Sequence, residues 1–308
     1  MSQTILLCLG MGYTARALAR RLRMGGGDSG RGGDLRIIGT TRAPDKADGV
    51  RAAGATPLVT NSFGDAARAV ADASHILVSA PPGAPGDPVL RALAVHIAAA
   101  SRLRWIGYLS ATSVYGDADG VWIDETAPLA PATERGRARA AAEEAWRDLA
   151  AAHDLPLVIF RLAGIYGPGR SAIDAIRAGR ARRIVKPGQV FNRIHVEDAA
   201  RMLAASMQAE ARGEDGRGAR YDPGAVYNLC DDEPAPPQDV IAYAAELLGA
   251  DAPPVIPYAE AELSPMAASF YAENKRLGNS RVKKALGLEL AFPTYREGLA
   301  AILRAQPE

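Results

Sequence analysis

Short apolar segments alternate with amphipathic segments along most of the chain. The apolar runs that have the length of buried strands lie at 5–9, 35–39, 58–59, 75–79, 105–110, 157–162 and 226–229. The helical patterns lie directly after the first run and at 65–73, 88–103, 131–152, 171–179, 199–208 and 238–248. This alternation predicts an α/β fold, a doubly wound parallel sheet with helices on both faces and ligands at the carboxyl ends of the strands.

A glycine motif lies between the first predicted strand and the first predicted helix. Gly10, Gly12 and Ala15 have the spacing G-x-G-x-x-A. In such a motif one glycine makes a tight turn, the next lets the backbone approach a pyrophosphate, and the small third residue packs the helix on the strand. The motif predicts a Rossmann dinucleotide site, and the alternative is a glycine turn that only packs. The cofactor-binding residues predicted here are Gly10, Met11, Gly12, Tyr13 and Thr14.

The second predicted strand ends in Thr40, Thr41 and Arg42, and no acidic residue follows until Asp45. Sites that prefer NAD place a carboxylate here for the ribose hydroxyl, whereas an arginine accommodates the 2′-phosphate of NADP. We therefore predict that Thr40, Thr41 and Arg42 bind the cofactor and that NADP(H) is preferred over NAD(H). The alternative for Arg42 is a solvated turn arginine.

Small residues and prolines follow the fourth predicted strand. Ser79, Ala80, Pro81 and Pro82 stand at its carboxyl end. A backbone built from such residues can pass close under a bound nucleotide, so we predict that all four contact the cofactor. The alternative is a rigid loop.

Composition limits the possible partners of the chain. The 308 residues are 48% hydrophobic and 23% charged, with a formal net charge of +1 and no basic block. These values argue against nucleic acid or a membrane as a main partner and leave a small-molecule substrate. The only cysteines, Cys8 and Cys230, fit a reducing cytoplasm. No run reaches transmembrane length, and the four histidines lack metal-ligand spacing, so we expect no metal.

Two polar segments interrupt the pattern. The glycine-rich stretch 24–34 lacks the Lys-Ser/Thr ending of a phosphate-binding P-loop, so we predict a surface turn. The stretch 211–224 is predicted to be a polar loop.

Six motifs in the second part of the chain occur in a recognisable order. They are LSATSVYGD at 109–117, DETAP at 124–128, RLAGIYGPG at 161–169, RIHVED at 193–198, NKR at 274–276 and PTYREG at 293–298. Together they resemble the extended short-chain dehydrogenase/reductase superfamily, in its epimerase/dehydratase branch, and are most similar to the atypical, YeeZ-like members with a shortened glycine motif. The resemblance covers nearly the whole chain.

The resemblance implies a division into two parts. A Rossmann dinucleotide-binding domain is expected at 1–165, with 191–229 returning to its sheet. A small α/β substrate-binding lobe is expected from 166–190 and 230–308, closing over the substrate. Family members are often homodimers through the helices that correspond to 88–103 and 131–152, and a homodimer is an open alternative here because the second helix is heavily charged at its start.

The resemblance also implies a catalytic Tyr-x-x-x-Lys pair on the helix at 131–152, and this pair is absent. Arg135 and Arg139 stand in its place. A general acid or base needs a tunable pKa, whereas arginine stays protonated in proteins. Being four apart, the two arginines share one helix face, where they could bind a carboxylate or phosphate of the substrate. The alternative is a solvated charged face.

A hydroxyl near the end of the fifth strand would have to replace the missing tyrosine. The family's Ser or Thr three positions before Val114 is Ala111 here, flanked by Ser110 and Thr112. We predict Tyr115, Thr112 and Ser110 as catalytic residues, with Tyr115 first because a nearby arginine could lower the pKa of its phenol. The alternative for Tyr115 is a packing residue hydrogen-bonded in a loop.

The predicted function combines these features. In the family, the segment at 191–195 returns to the sheet, so Asn192 or Arg193 is expected to face the substrate, while His195 is expected to be structural. The resemblance implies an NAD(P)-dependent oxidoreductase or epimerase-like enzyme acting on a small hydroxy or carbonyl substrate. Arg42 then favours NADP(H), and Arg135 and Arg139 favour a substrate with an anionic group. One alternative is a non-catalytic protein that senses NADP(H), and another is a lyase or isomerase that uses the nucleotide only structurally.

Overall fold

The structure is a computed structural model of the chain and describes residues 3–25, 35–209 and 224–305. The predicted turn at 24–34 and the predicted loop at 211–224 therefore lie almost entirely outside the described residues.

Seven parallel strands form the central sheet of the described residues. They are β1 (Thr4–Leu9), β2 (Leu35–Thr41), β3 (Thr56–Val59), β4 (His75–Val78), β5 (Trp105–Ala111), β7 (Leu157–Leu162) and β11 (Val226–Leu229). Their order is β11-β7-β5-β4-β1-β2-β3. From β1 the chain builds outward to β2 and β3 and then returns to place β4 on the other side of β1, so a switch point, where doubly wound sheets bind ligands, lies between β1 and β4. The predicted fold class is confirmed.

The described residues also form α-helices, and most of the central strands are followed by one. The helices are α1 (Tyr13–Met24), α2 (Ala47–Arg51), α3 (Ala67–Asp72), α4 (Pro88–Ala98), α5 (Glu134–His153), α6 (Ala172–Arg177), α7 (Val196–Ala209), α8 (Pro237–Leu247), α9 (Pro265–Tyr271), α10 (Ser280–Leu286) and α11 (Tyr295–Ala305). The helix predicted from residue 131 begins at Glu134, because the Thr133 side chain accepts a hydrogen bond from the backbone N–H of Gly136 and so caps the first turn.

Three pairs of short parallel strands extend the fold beyond the central sheet. They are β8 (Gly164–Tyr166) with β10 (Arg193–His195), β9 (Arg183–Val185) with β12 (Val255–Pro257), and β6 (Trp122–Ile123) with β13 (Arg276–Leu277). Each pair joins segments that are distant in sequence. Because β8 begins two residues after the end of β7, the β8–β10 pair lies just beyond the carboxyl end of that central strand.

The inner strands of the central sheet are buried on both faces, as their continuous apolar runs predict, whereas the edge strand β3 is partly exposed. Leu6 and Cys8 of β1 face the core formed with α1 and α7. Leu7 and Leu9 face the opposite core, formed with α3, α4 and Trp146 of α5. A separate core lies between α6, α8 and α11. Within the part of the chain that the structure describes, no helix combines the length and apolarity needed to cross a membrane.

Candidate functional site

A cavity of about 590 Å³ opens at the carboxyl ends of the central strands. Its walls come from the ends of β4, β5 and β7, the start of α5, and segments near residues 190–193 and 269–275. Thr14 and Ser79 also line it, so it adjoins the turns that follow β1 and β4. The cavity therefore lies where a parallel sheet of this topology binds its ligand.

The glycine turn after β1 packs tightly on the turn after β4. Gly10 has a φ of +96°, and a Cβ there would lie 2.9 Å from the backbone nitrogen of Ala80. Only glycine fits this position without strain. Gly12 is the N-cap of α1 and has no capping side chain, and a Cβ there would lie 3.6 Å from Ser79 Oγ. The uncapped N–H groups and the bare backbone of this turn are features of a pyrophosphate site.

Two of the predicted cofactor residues instead support the turn through buried contacts. Met11 is buried, and a Cβ on Gly39 would lie only 2.7 Å from its sulfur atom. The hydroxyl of Thr40 accepts a hydrogen bond from the N–H of Gly10 at 2.7 Å and donates to the carbonyl of Cys8 at 3.3 Å. The side chains of Met11 and Thr40 are thus used in shaping the loop.

The remaining predicted cofactor residues lie at the surface or at the edge of the cavity. Thr41 donates its hydroxyl hydrogen to the carbonyl of Ala43. Arg42 is exposed at the end of β2, and Pro81 is exposed while Pro82 is half-buried after β4. Of this group, Arg42 has the charge and the exposure to meet a phosphate.

Tyr13 points from the glycine turn toward the segment after β8. Its hydroxyl donates to the carbonyl of Pro168 at 3.0 Å, and the guanidinium carbon of Arg170 lies 5.8 Å from the ring centroid. Burial raises the pKa of Tyr13 to about 12. Tyr13 therefore ties the nucleotide turn to the wall of the cavity that carries Arg170.

Tyr115, the first choice for a catalytic hydroxyl, does not line this cavity. It is 3% exposed, and its oxygen donates to Asn228 Oδ1 at 2.7 Å and accepts from Arg161 Nη1 at 2.9 Å. Burial raises the pKa of its phenol, although the nearby Arg161 acts in the opposite direction. The expected lowering of that pKa is not seen. The geometry favours the alternative of a packing tyrosine.

Ser110 and Thr112 both line the cavity, with different surroundings. The hydroxyl of Ser110 donates to Glu143 Oε1 at 2.6 Å. Thr112 is half-buried, and its hydroxyl makes no hydrogen bond to a described residue. The start of α5 approaches this loop closely, because a Cβ on Gly136 would lie 2.6 Å from the carbonyl oxygen of Ser113.

Basic side chains dominate the charge of the cavity wall. Arg135 is exposed, while Arg139 is half-buried and donates to the carbonyl of Leu109 at 2.7 Å. Arg170 and Arg193 complete the opposite side. Both arginines predicted on α5 are therefore brought to the same cavity as Arg193, which gives it the charge needed for an anion.

One further cation of the wall is already paired. Lys275 is buried, and its Nζ lies 2.6 Å from Glu273 Oε2 and 2.6 Å from the carbonyl oxygen of Gly116. The side chain of Asn192, which also lines the cavity, donates to the carbonyl of Lys275 and accepts from the N–H of Leu277. The amide of Asn192 thus joins β10 to β13.

Arg193 lies next to a buried acid. Its Nη1 donates to the carbonyls of Phe191 and Ala235, and burial lowers its pKa. Asp231 is 1% exposed, and neither of its carboxylate oxygens has a hydrogen-bond partner among the described residues. Burial raises the pKa of Asp231 to about 8, although the charge of Arg193 opposes that change.

His195 occupies a packing position. Its ring lies between Tyr166 and Phe292, with centroid distances of 5.2 and 4.1 Å, and its Nδ1 accepts from the N–H of Glu197. Burial lowers its pKa to about 4. Across the described ranges 3–25, 35–209 and 224–305, no group of three or more His, Cys, Asp or Glu side chains could hold a metal ion.

Sequence reasoning missed three residues that shape this site. Glu143 is fully buried against Arg161, so the alternative of a solvated charged face on α5 does not hold for this residue. Arg170 was not singled out, although it follows the RLAGIYGPG motif directly. A charge inside an apolar strand, such as Arg161 in LVIFRL, is the signal that could have revealed the buried pair.

Comparison with known proteins agrees with this architecture. The sequence profile of the NAD dependent epimerase/dehydratase family matches residues 90–230. A functionally unknown conserved protein from Silicibacter pomeroyi DSS has a solved structure with a TM-score of 0.83 and 51% identity, covering 98% of this chain and 99% of that one.

Two curated proteins are also similar in sequence. Protein YeeZ of Escherichia coli (strain K12) is 32% identical over 231 residues, which is 72% of each chain. A 3-diazoavenalumate denitrifying reductase of Streptomyces sp is 31% identical over 192 residues, which is 58% of each chain. With the matched profile, the parallel sheet and the glycine turn, these similarities show that the chain belongs to the NAD-dependent epimerase/dehydratase family.

Proposed function

We propose that the protein is an NADP(H)-dependent oxidoreductase or epimerase-like enzyme acting on a small hydroxy or carbonyl substrate that carries a carboxylate or phosphate. The observation that carries the proposal is the cavity itself, which joins the glycine turn to a wall of arginines. Arg135, Arg139, Arg170 and Arg193 would bind the anionic group, because guanidinium forms paired hydrogen bonds with carboxylate or phosphate oxygens.

The turns after β1 and β4 fit a dinucleotide. Gly12 leaves no side chain between the start of α1 and an approaching pyrophosphate, while Thr14 and Ser79 offer hydroxyls at the cavity edge. Arg42 would contact the 2′-phosphate that distinguishes NADP from NAD. When bound, the nucleotide supplies or accepts a hydride through its nicotinamide ring.

Thr112 is the hydroxyl that we assign to the substrate oxygen. Tyr115 is buried away from the cavity, and the hydrogen of Ser110 is used in the bond to Glu143. The hydroxyl of Thr112 can therefore donate to an oxygen on which negative charge develops and pass it a proton from water. Arg135 and Arg139 would stabilise the same charge, since guanidinium groups form charge-assisted hydrogen bonds with an oxygen on which negative charge develops.

The test is a screen of NADPH oxidation against carbonyl compounds that carry a carboxylate or phosphate. On any compound that is turned over, Thr112→Val should lower kcat by about 10²-fold, as expected for loss of a proton-transferring group, while the nucleotide Kd stays unchanged. Thr112→Ser is the matched control and should keep most of the activity. A Thr112→Val variant with full kcat would remove Thr112 from the mechanism.

A second candidate is a non-catalytic protein that senses NADP(H). The missing Tyr-x-x-x-Lys pair and the buried Tyr115 favour it. Such a protein would bind NADPH without oxidising it in the presence of any screened compound, and would change its affinity for a partner with the redox state of the nucleotide. In either case, the buried free cysteines Cys8 and Cys230 fit a reducing, cytoplasmic location.

A further inference from the structure

A buried chain of hydrogen bonds runs from the cavity wall into the interior. The hydroxyl of Ser110 donates to Glu143 Oε1 at 2.6 Å. Glu143 is fully buried. Arg161 donates two hydrogen bonds to its carboxylate, from Nε to Oε1 at 3.1 Å and from Nη2 to Oε2 at 2.7 Å. Arg147 adds a further bond to Oε2 at 2.9 Å.

Two ion pairs define the group that lies beside Ser110. The guanidinium groups of Arg161 and Arg147 both donate to the carboxylate of Glu143. A carboxylate accepts hydrogen bonds and donates none. The hydrogen shared between Ser110 and Glu143 therefore belongs to the serine.

Ser110 can therefore form only one kind of hydrogen bond with a ligand. A serine hydroxyl has one hydrogen to donate and two lone pairs that accept. Because the hydrogen is committed to Glu143, Ser110 can only accept from a molecule in the cavity that it lines. A carbonyl oxygen of the ligand in the same place would lie against the lone pairs of Ser110 and would receive no hydrogen bond from it.

We propose that the hydroxyl of Ser110 contacts the substrate only as a hydrogen-bond acceptor, and that the substrate group beside it is a hydroxyl that donates to it. Glu143 and Arg161 are positioning residues for this contact. The inference rests on the proposed function, in which the arginines of the same cavity bind an anionic group. It narrows the substrate class to an anion that carries a hydroxyl near its charged end, and the group converted to a carbonyl is a different one, next to Thr112.

The test compares matched probes on the full chain without nucleotide. Lactate and malate carry a hydroxyl beside a carboxylate, whereas pyruvate and oxaloacetate carry a carbonyl in the same place. Dissociation constants from ligand-detected NMR should favour each hydroxy acid over its oxo partner by about tenfold or more, since an unmatched polar group in a built site is rejected. Ser110→Ala should abolish this preference.

Two more variants separate selectivity from folding. Ser113→Ala removes a neighbouring hydroxyl that lines the same cavity, and it should leave the preference intact. Glu143→Asp keeps the charge that Arg161 needs but shortens the side chain that reaches Ser110, so the preference should fall while the anion still binds.

An unchanged preference in Ser110→Ala, a preference for the oxo acids in the wild-type protein, or no binding of either series would each overturn the inference. Nucleotide titration and turnover are measured separately on the same samples. If the wild-type protein binds no nucleotide and turns over no substrate but still prefers the hydroxy acids, only the proposed function is refuted.

Discussion

Replacing Tyr115 with phenylalanine separates a packing role from a catalytic one. The phenol oxygen joins Asn228 and Arg161 in a buried cluster, and the guanidinium of Arg161 also lies 4.8 Å from the centroid of the tyrosine ring. Tyr115→Phe keeps the ring and this cation–π contact. It removes only the two hydrogen bonds made by the hydroxyl.

The cost follows from the groups that lose their partner. Arg161 Nη1 loses an acceptor and Asn228 Oδ1 loses a donor, and both residues are almost fully buried. A hydrogen bond to a charged group contributes about 1.5–3 kcal/mol, and a buried polar atom left unpaired costs a similar amount. Because Arg161 keeps its bonds to Glu143, we expect the free energy of unfolding to fall by about 2–4 kcal/mol.

Urea unfolding of Tyr115→Phe measures this loss. Tyr243→Phe is the matched control, since the ring of Tyr243 packs edge-on against Tyr295 and its hydroxyl makes no hydrogen bond to a described residue. We expect the control to stay within about 0.5 kcal/mol of the wild-type protein. Turnover by Tyr115→Phe, measured well below its unfolding transition, should be near normal. Unchanged stability with abolished turnover would refute the packing role.

Three other changes have defined outcomes. The pKa of Asp231 is about 8 instead of its ordinary 3.8, so between these pH values the folded protein keeps a proton that the unfolded chain releases. The free energy of unfolding should therefore fall as the pH rises through this range, by up to about 1.4 kcal/mol per pH unit. Asp231→Asn should flatten that slope in urea unfolding at several pH values, whereas Asp72→Asn on the surface should not. Gly116→Ala should severely lower expression of folded protein, because Gly116 has a φ of +74° and a Cβ there would collide with the carbonyl of Ala130. Arg42→Ala should lower the ratio of NADPH to NADH affinity at least several-fold in fluorescence titrations. An unchanged ratio would contradict the proposed contact between Arg42 and the 2′-phosphate.

The central sheet was predictable because its inner strands are buried on both faces. Such strands appear in the sequence as continuous apolar runs, and the runs at 157–162 and 226–229 match β7 and β11 residue for residue. The helix boundaries shifted where caps decide them. The helix predicted at 88–103 ends at Ala98 in the structure. Local chemistry of this kind is weakly encoded in periodicity.

The site was less predictable because its contacts join distant parts of the chain. Glu143 lies in a charged run of α5, and its neighbours in the sequence do not show that Arg161 of β7 lies opposite it where α5 packs on the sheet. The glycine turn could be located because its spacing is a local requirement of the backbone. The order of motifs located the cavity, but the direction of the Tyr115 side chain depends on Asn228, which lies 113 residues away.

The most direct test of the account is a fluorescence titration of the purified protein with NADPH and NADH, carried out on the wild-type chain and on Gly12→Asp. Aspartate is a favourable N-cap residue, so the variant should fold at least as stably as the wild type, while its carboxylate would repel a pyrophosphate at the start of α1.

We predict that the wild-type protein binds NADPH more tightly than NADH and that Gly12→Asp binds both at least about tenfold more weakly. Absence of binding by the wild-type protein, or equal binding by a folded Gly12→Asp variant, would contradict the placement of the nucleotide and the function proposed from it.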